Sequence, residues 1–413
     1  MSSPADTISL PAGPLDLSRW RKLPLICLVA GGALALIGAI TNPVEFGYSY
    51  LTAYMFGLSL CLGGMFLVLI HHLFDAGWSV PLRRLTEHLA CLAPALAVLF
   101  IPVAVLAPRL YPWMQVADPA SDHALHAKQA LLNPRAWYGV TLLLFVVWTV
   151  LSYRLRGISL DQDKTGDAAC TRKLRVTSAL GIFIFAITLT LAAILWVKSL
   201  EYQWFSTMYG VYFFAGSVWT TLAAVYVIAV MLKRSGPLAQ VMGGRQFHDL
   251  GVLWFAFTVF YAYIHFSQYF IIWNANVPEE TFWYLKREQG SWFGIGMALI
   301  FGHFFLPFLL HLRIDAKLNW ALTIPLAIWA CLMHYCDLSF NVMPAVAHPQ
   351  GFKFNQVDLG CLAFVAGALA WVWVRDFKRH PPFPQKDPRM HEALGVTPPE
   401  VFARFAAQEK GNP

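Results

Sequence analysis

The chain has 413 residues, of which 58% are hydrophobic and only 13% are charged. A soluble domain averages about 25% charged residues, because its surface must be covered with polar groups. The composition therefore excludes an ordinary soluble enzyme and favours a membrane protein with several spans. In that setting the net charge of +7 is no evidence for a nucleic-acid partner.

The first 22 residues are polar and then basic, with Arg19, Arg21 and Lys22 just before the first apolar run. No A-x-A cleavage site follows that run. We therefore expect a tail over residues 1–22 and a retained first helix rather than a cleaved signal peptide.

Most of the seven cysteines lie in apolar runs, and no C-x-x-C occurs. They are interpreted as small packing residues rather than ligands of an iron–sulfur cluster or attachment points of a c-type haem.

Ten apolar segments follow, each close to the ~20 residues that a helix needs to cross the hydrocarbon core. Backbone polar groups in lipid must be satisfied within the segment, so the predicted fold is an all-α integral membrane bundle over residues 23–375. The tail over residues 376–413 is polar and proline-containing and is expected to be extended. The segments are Leu23–Thr41, Leu51–Phe74, Leu85–Ala107, Ala136–Tyr153, Val176–Val197, Met208–Leu232, Leu250–Trp273, Trp292–Leu312, Trp320–Val342 and Val357–Val374.

The basic residues predict the orientation of the bundle. If the N-terminus is cytoplasmic, the cytoplasmic segments carry 23 of the 30 Lys and Arg residues, as the positive-inside rule requires. An even number of spans then places both termini in the cytoplasm. Glycines in the first, second and last spans should allow close helix packing, and Pro94 and Pro102 should kink the third span.

Ionisable side chains within apolar helices are costly, so each is a candidate for function. His71 and Asp75 are four residues apart, so on a helix they would share a face and interact. The alternative is that the groups near the cytoplasmic ends simply meet water. This inner set comprises His71, His72, Asp75, Glu87, His88 and His311.

A second set lies deeper in the membrane. At 1.5 Å per residue, His303 falls near mid-membrane, and His265, His334 and Asp337 fall in the outer half. His334 and Asp337 share a face, and a carboxylate beside an imidazole stabilises its protonated form, which favours proton exchange near neutral pH. The alternative is a polar group satisfied by a neighbouring helix. The proton-path candidates are His71, His72, Asp75, His265, His303, His334 and Asp337.

Bound groups are less favoured by the pattern. Haem b needs two histidines at similar depth on facing helices. His265 and His334 fit by depth alone, but the four-histidine pattern of a two-haem helix pair is absent. A metal site is not indicated either, because the sequence has no pair of histidines four residues apart with an acidic residue to assist them. We therefore expect no metal and no haem in this chain, and we assign no catalytic residue; the pattern does not decide whether the chain binds a quinone.

Three stretches resemble one family of membrane subunits: YAYIHFSQYFIIWNANVPEETFWY, beginning at Tyr261; VLIHHLFDAGWSVPLRRLTEHL, beginning at Val68; and MHYCDLSFNVMP, beginning at Met333. They resemble ActF, the second large membrane subunit of bacterial alternative complex III, which is similar to the NrfD/PsrC family of membrane proteins. The resemblance covers most of Leu23–Asp376 and fits ten helices with both ends inside.

The resemblance implies a subunit without a redox centre in a respiratory quinol:cytochrome c (or oxidase) oxidoreductase of the bacterial inner membrane. The implied partners are an ActC-like quinol-binding subunit, an iron–sulfur subunit, multihaem and monohaem cytochrome c subunits and, in some complexes, a terminal oxidase. Haem c and iron–sulfur clusters would lie in those partners, and this chain would provide proton half-channels. Two alternatives stay open: a quinone-binding membrane anchor of another oxidoreductase, and a proton-coupled secondary transporter.

Overall fold

The computed structural model describes residues 17–346 and 351–395. Most of the predicted N-terminal tail and the last 18 residues of the C-terminal tail lie outside these ranges. The described residues form helices joined by loops and short helical turns, without a β-strand. The main helices are α1 (Ser18–Thr41), α2 (Pro43–Leu73), α3 (Val80–Ala90), α4 (Ala93–Leu99), α5 (Ile101–Leu110), α6 (Pro134–Thr165), α7 (Ala168–Trp196), α8 (Tyr209–Arg234), α9 (Gly244–Ala275), α10 (Pro278–Arg287), α11 (Ser291–Ala298), α12 (Leu306–His311), α13 (Trp320–Val342) and α14 (Gln356–Phe377).

Among the described residues, nine helices are long and apolar enough to cross a membrane. The segments Val80–Leu99 and Ile101–Leu110 add a tenth span if they count as one broken crossing, bent by 55°. The prediction of a multi-spanning helical protein is thus confirmed at the level of a helical membrane bundle. Pro94 and Pro102 lie in the first turns of α4 and α5, where a missing N–H is tolerated. The third predicted span therefore consists of three successive helices, α3, α4 and α5, instead of one kinked helix.

The core of the bundle is formed by α2 and α8, whose side chains are buried on nearly every face. Several helices are longer than predicted because polar caps extend them. For example, α2 begins at Pro43, where the side chain of Asn42 accepts a hydrogen bond from Glu45 N. The candidate site lies along α8 and the two neighbours that pack against it, α9 and α13.

The glycines of α1 and α14 bring these two helices into backbone contact. A Cβ atom at Gly31 would lie 2.8 Å from the carbonyl oxygen of Gly360. One at Gly367 would lie 2.8 Å from the carbonyl oxygen of Pro24. Real side chains never approach backbone so closely, so these glycines are required for the packing, as their placement in the sequence predicted.

Residues 378–395 fold back against the bundle instead of extending away from it. The side chain of Gln246 donates to Ala393 O at 2.5 Å, and Gln385 N donates to the Asp163 carboxylate at 2.9 Å. Asp387 lies buried under α3, where it pairs with Arg83. The segment thereby closes the end of the bundle at which α2 ends and α3 begins, named the Arg83 end below.

Candidate functional site

A buried carboxylate, Asp337 on α13, is the centre of the candidate site. The hydroxyl of Tyr212 on α8 donates to Asp337 Oδ1, and Asn341 Nδ2 lies 3.3 Å from the same oxygen. Asn341 Nδ2 also lies 3.1 Å from the Tyr212 hydroxyl and 2.8 Å from Asp337 O. The carboxylate is 2% exposed, so these donors replace the water that burial removes.

The bonds around Asp337 extend in one direction through two tyrosines. Because Tyr212 gives its only hydroxyl proton to Asp337, it can only accept from Tyr261, whose hydroxyl lies 3.3 Å away. Tyr261 then accepts from His265, whose Nδ1 lies 3.4 Å from the Tyr261 oxygen. The order of donation is therefore His265, Tyr261, Tyr212, Asp337. The distances from Tyr212 to Tyr261 and from Tyr261 to His265 are long for hydrogen bonds, so a small side-chain shift is needed to shorten them.

His334 lies one helical turn before Asp337, and its tautomer follows from its neighbour Ser59. The Ser59 hydroxyl donates its proton to Met55 O at 2.9 Å and lies 3.0 Å from His334 Nε2. A hydroxyl has one proton, so Ser59 accepts from His334 Nε2–H. In the neutral ring, Nδ1 then carries the free lone pair, and it has no hydrogen-bond partner among the described protein groups.

His303 lies on a π-helical stretch, Leu299–Phe305, that joins α11 to α12. Its ring is stacked between Trp219 at 3.8 Å and Tyr261 at 3.9 Å between centroids. The side chain is fully buried, and neither ring nitrogen has a described hydrogen-bond partner. The two aromatic rings fix the plane of the imidazole while leaving its nitrogens open at the ring edge.

The π turn is stabilised by a side chain from α13. Leu306 N–H bonds Phe301 O, five residues back. The next bond of that register would join Pro307 to Gly302 O, but proline has no N–H. Trp329 Nε1 donates to Gly302 O at 2.8 Å instead. Such π turns occur frequently at functional sites, and this one determines where His303 points.

His303, His334 and Asp337 meet at one point. One nitrogen of each histidine and one carboxylate oxygen all lie within 4.8 Å of each other. The depth along the helices predicted His303 near mid-membrane, separate from His265, His334 and Asp337 in the outer half. In the structure it adjoins His334 and Asp337 of that outer group, on a π-helical stretch rather than a regular α-helix. The three residues are called the Asp337 junction below.

The C-terminal end of α13, just beyond Asp337, is held by Arg287 on α10. Its guanidinium donates to Phe340 O at 2.8 Å and Asn341 O at 3.0 Å, and it stacks on Trp283 at 3.5 Å. It also pairs with Glu201 at 2.8 Å. Glu201 also binds Lys286, at 3.2 Å. This end of the bundle is called the Arg287 end.

An open apolar groove of about 620 Å³ lies between α9 and the helices that follow α10. Tyr261 and His265 form part of its wall, together with Arg287 and Glu288. The groove therefore adjoins the first member of the hydrogen-bonded series that leads to Asp337.

The predicted inner residues lie at the Arg83 end but do not pair as expected. The helix α2 ends at Leu73, and Asp75 has a positive φ of 49°, so His71 and Asp75 no longer share a helical face. Asp75 pairs with Arg175 and, at 3.4 Å, with Arg389. His71 Nδ1 lies 2.5 Å from Ser79 Oγ.

His71 is held neutral by its neighbours. Arg83 can only donate, and its Nη1 lies 3.4 Å from His71 Nε2, so that nitrogen is the acceptor and Nδ1 carries the proton. His72 is 1% exposed, and neither of its nitrogens has a described hydrogen-bond partner. Of these two histidines, His72 thus has an open lone pair and His71 does not.

Arg83 is at the centre of a buried ion network. It pairs with Asp387 and, at 3.2 Å, with Glu87, which also pairs with Arg84 at 2.7 Å. Burial by itself would raise the pKa of the Asp387 carboxyl. Arg83 and Arg389 beside it outweigh burial and hold that pKa well below its usual range.

Other predicted residues lie between or beside the two clusters. His88 Nδ1 lies 2.8 Å from Arg84 O, and its Nε2 lies 3.3 Å from His380. His311 packs against Trp254 at 4.5 Å between ring centroids. Within residues 17–346 and 351–395 no hydrogen bond joins the Asp337 junction to His71 or His72.

Several residues of the site were not identified from the sequence. Tyr212 and Tyr261 are two aromatic residues in a chain that is 15% aromatic, so composition gives no signal for them. Asn341 is four residues after Asp337, a spacing that could have been used. Ser59 and Asp387 come to their partners from distant parts of the chain and carry no local signal.

The site combines a buried acid, two imidazoles with open nitrogens and an oriented series of hydroxyls, a set of groups that can accept and pass protons. No known protein family matches the chain, and no curated protein is significantly similar to it.

Proposed function

We propose that the chain is a non-haem integral membrane subunit of a respiratory quinol:cytochrome c (or oxidase) oxidoreductase, in which it conducts protons beside an ActC-like quinol-oxidising subunit. The observation that carries the proton role is the one-directional series from His265 through Tyr261 and Tyr212 to Asp337. The resemblance to ActF supplies the expected complex and its iron–sulfur and cytochrome c partners.

The proposed topology has ten spans, with the bent segment Val80–Leu110 counted as one, and both termini on the cytoplasmic side of a bacterial inner membrane. The excess of Lys and Arg on that side supports it. The Arg83 end then faces the cytoplasm and the Arg287 end the periplasm. Glu279 and Glu280, exposed or half-buried at the start of α10, would form part of the periplasmic surface at which the partner subunits dock.

In this proposal, protons move between the periplasmic side and the Asp337 junction along the tyrosine series. When Asp337 takes up the proton of Tyr212, Tyr212 is reprotonated by Tyr261, and Tyr261 is reprotonated by His265. His303 and His334 offer the next lone pairs, since one ring nitrogen of each lies within 4.8 Å of a carboxylate oxygen of Asp337. His72 at the Arg83 end is the corresponding cytoplasmic acceptor, and a rearrangement or water chain must connect the two.

The test of proton conduction is Asp337→Asn, which keeps the size of the side chain but removes its charge. Proton release during quinol oxidation by the purified complex should fall at least tenfold. The matched control is Asp358→Asn, a buried carboxylate in the first turn of α14, which should leave release unchanged. Equal proton release by wild type and Asp337→Asn would exclude the proposed route.

Purification in mild detergent tests the assignment to a complex. The proposal requires cytochrome c and iron–sulfur subunits to co-purify with the chain. A proton-coupled transporter is the second candidate, because the broken span Val80–Leu110 and the π turn at His303 are discontinuities of the kind that transporters use. In that case the chain would be isolated alone or as a homo-oligomer, without haem absorbance.

A further inference from the structure

The Asp337 junction contains buried lone pairs that the hydrogen bonds of the protein do not satisfy. Both nitrogens of His303 and Nδ1 of His334 lack described partners, although both side chains are at most 1% exposed. An unsatisfied buried polar group costs about 1–3 kcal/mol. In a neutral imidazole one nitrogen is an N–H donor, so a species that accepts one lone pair from each of the two rings would remove part of that cost.

We propose that His303, His334 and Asp337 form a binding site for a divalent transition-metal ion of the zinc class. Their donor atoms all lie within 4.8 Å of one another. Around a tetrahedral zinc ion with bonds of 2.0–2.1 Å, donor atoms are separated by roughly 3.4 Å. Side-chain movements of about 1 Å therefore complete the site.

Neighbouring side chains already orient the three ligands by hydrogen bonds and ring stacking, as the residues around the ligands of a metal site do. Ser59 accepts from His334 Nε2–H, which leaves Nδ1 as the ligating nitrogen. Tyr212 and Asn341 hold Asp337 Oδ1, and Trp219 and Tyr261 fix the plane of His303. Partners of this kind orient ligands and typically change metal affinity by roughly 10–100-fold.

The ligand types select the metal. Two imidazoles and one carboxylate suit zinc, cobalt, nickel or copper, whereas calcium and magnesium prefer oxygen ligands alone. Three protein ligands leave a fourth position for water or hydroxide. One carboxylate balances only half of the ion's charge, so hydroxide at that position, or loss of a tyrosine proton, reduces the electrostatic cost of burying the ion. Binding should therefore release protons and become tighter as the pH rises.

Glu288 and His265 line the apolar groove that adjoins the site. They provide an acidic group and an imidazole along the groove through which a metal ion would approach Tyr261 and the junction. Metal binding and proton conduction use the same lone pairs, so a bound ion would block the proton route. The metal site does not depend on the respiratory assignment, because binding is measured on the isolated chain.

The experiment uses the full-length, untagged chain in detergent, freed of metal by chelation. Co²⁺ is titrated in and followed by its visible absorption bands, and Zn²⁺ is then added to displace it. We expect one Co²⁺ per chain with the bands of a four- or five-coordinate nitrogen and oxygen site. His303→Gln, His334→Gln and Asp337→Asn should each weaken binding at least ~10-fold.

The control is His311→Gln, since His311 is also buried with unpartnered nitrogens but lies outside the junction; it should bind as wild type does. If a ligand variant fails to fold, Ser59→Ala keeps all three ligands and should still weaken Co²⁺ binding roughly 10–100-fold. Absence of binding by wild type would overturn the proposal. Co²⁺ binding that the three ligand variants and Ser59→Ala all leave unchanged would also overturn it.

Discussion

Asp387→Asn should release the C-terminal segment from the bundle. Asp387 and Arg83 form an ion pair in which both side chains are completely buried. Removing one partner of a buried pair costs about 3–5 kcal/mol, because the other charge stays buried without its counter-ion. Arg83 keeps Glu87 at 3.2 Å, and Arg389 keeps Asp75 at 3.4 Å, so the lower half of that range applies. At 1.36 kcal/mol per tenfold, about 3–4 kcal/mol should raise the undocked fraction roughly 150- to 900-fold.

Limited proteolysis measures this effect, because cleavage of a transiently open segment follows the population of the open form. Trypsin should cut the variant after Lys386 or Arg389 far faster than wild type. Asp161→Asn is the matched control: Asp161 pairs with Lys164 at 3.7 Å, and both side chains are largely exposed. Such a pair contributes little, so cleavage should not change. Equal cleavage of Asp387→Asn and wild type would refute the buried-pair reasoning.

Three further predictions follow from the packing and the charges. Gly31→Ala should destabilise the fold by about 1–3 kcal/mol through overpacking against α14, measured by thermal unfolding, whereas Gly139→Ala, with open space around its Cβ, should not. Arg287→Met should cost about 3 kcal/mol, the lower end of the range for a broken buried pair, because the carbonyl groups of Phe340 and Asn341 lose their donor while Glu201 keeps Lys286; Lys286→Met, which removes the half-exposed partner of the same carboxylate, should have little effect. Because the folded pKa of Asp387 lies below its unfolded value, its stabilisation is complete at neutral pH and declines only below about pH 4, so protease resistance of the tail should be equal at pH 7 and pH 5.

The bundle was predictable because each span obeys a local rule. Length, hydropathy and the need to satisfy backbone groups in lipid are properties of a single segment. Gly31, Gly360 and Gly367 could be placed at close contacts because only glycine allows backbone approach. The break of the third span at Pro94 and Pro102 was anticipated as a bend, but its extent depends on tertiary packing.

The candidate site was only partly predictable, because its geometry depends on contacts between distant segments. His334 and Asp337 share a face of one helix, and their spacing identified them. The association of His303 with them depends on the π turn, whose stabilising donor Trp329 lies on another helix. The pairing of His71 with Asp75 was wrong because α2 ends between them. Nothing near Asp387 in the sequence indicates that it would cross to Arg83.

The π turn has a consequence for the length of its helix. Leu299–Phe305 packs an additional residue into a given axial rise compared with an α-helix. A single-residue deletion just after His303 could therefore be absorbed by conversion to α-helix, with His303 kept in place relative to α11. An equivalent deletion in α8 or α13 would rotate everything beyond it by about 100° and separate Tyr212 from Asp337. We therefore expect a single-residue deletion to be tolerated at the π turn better than in α8 or α13.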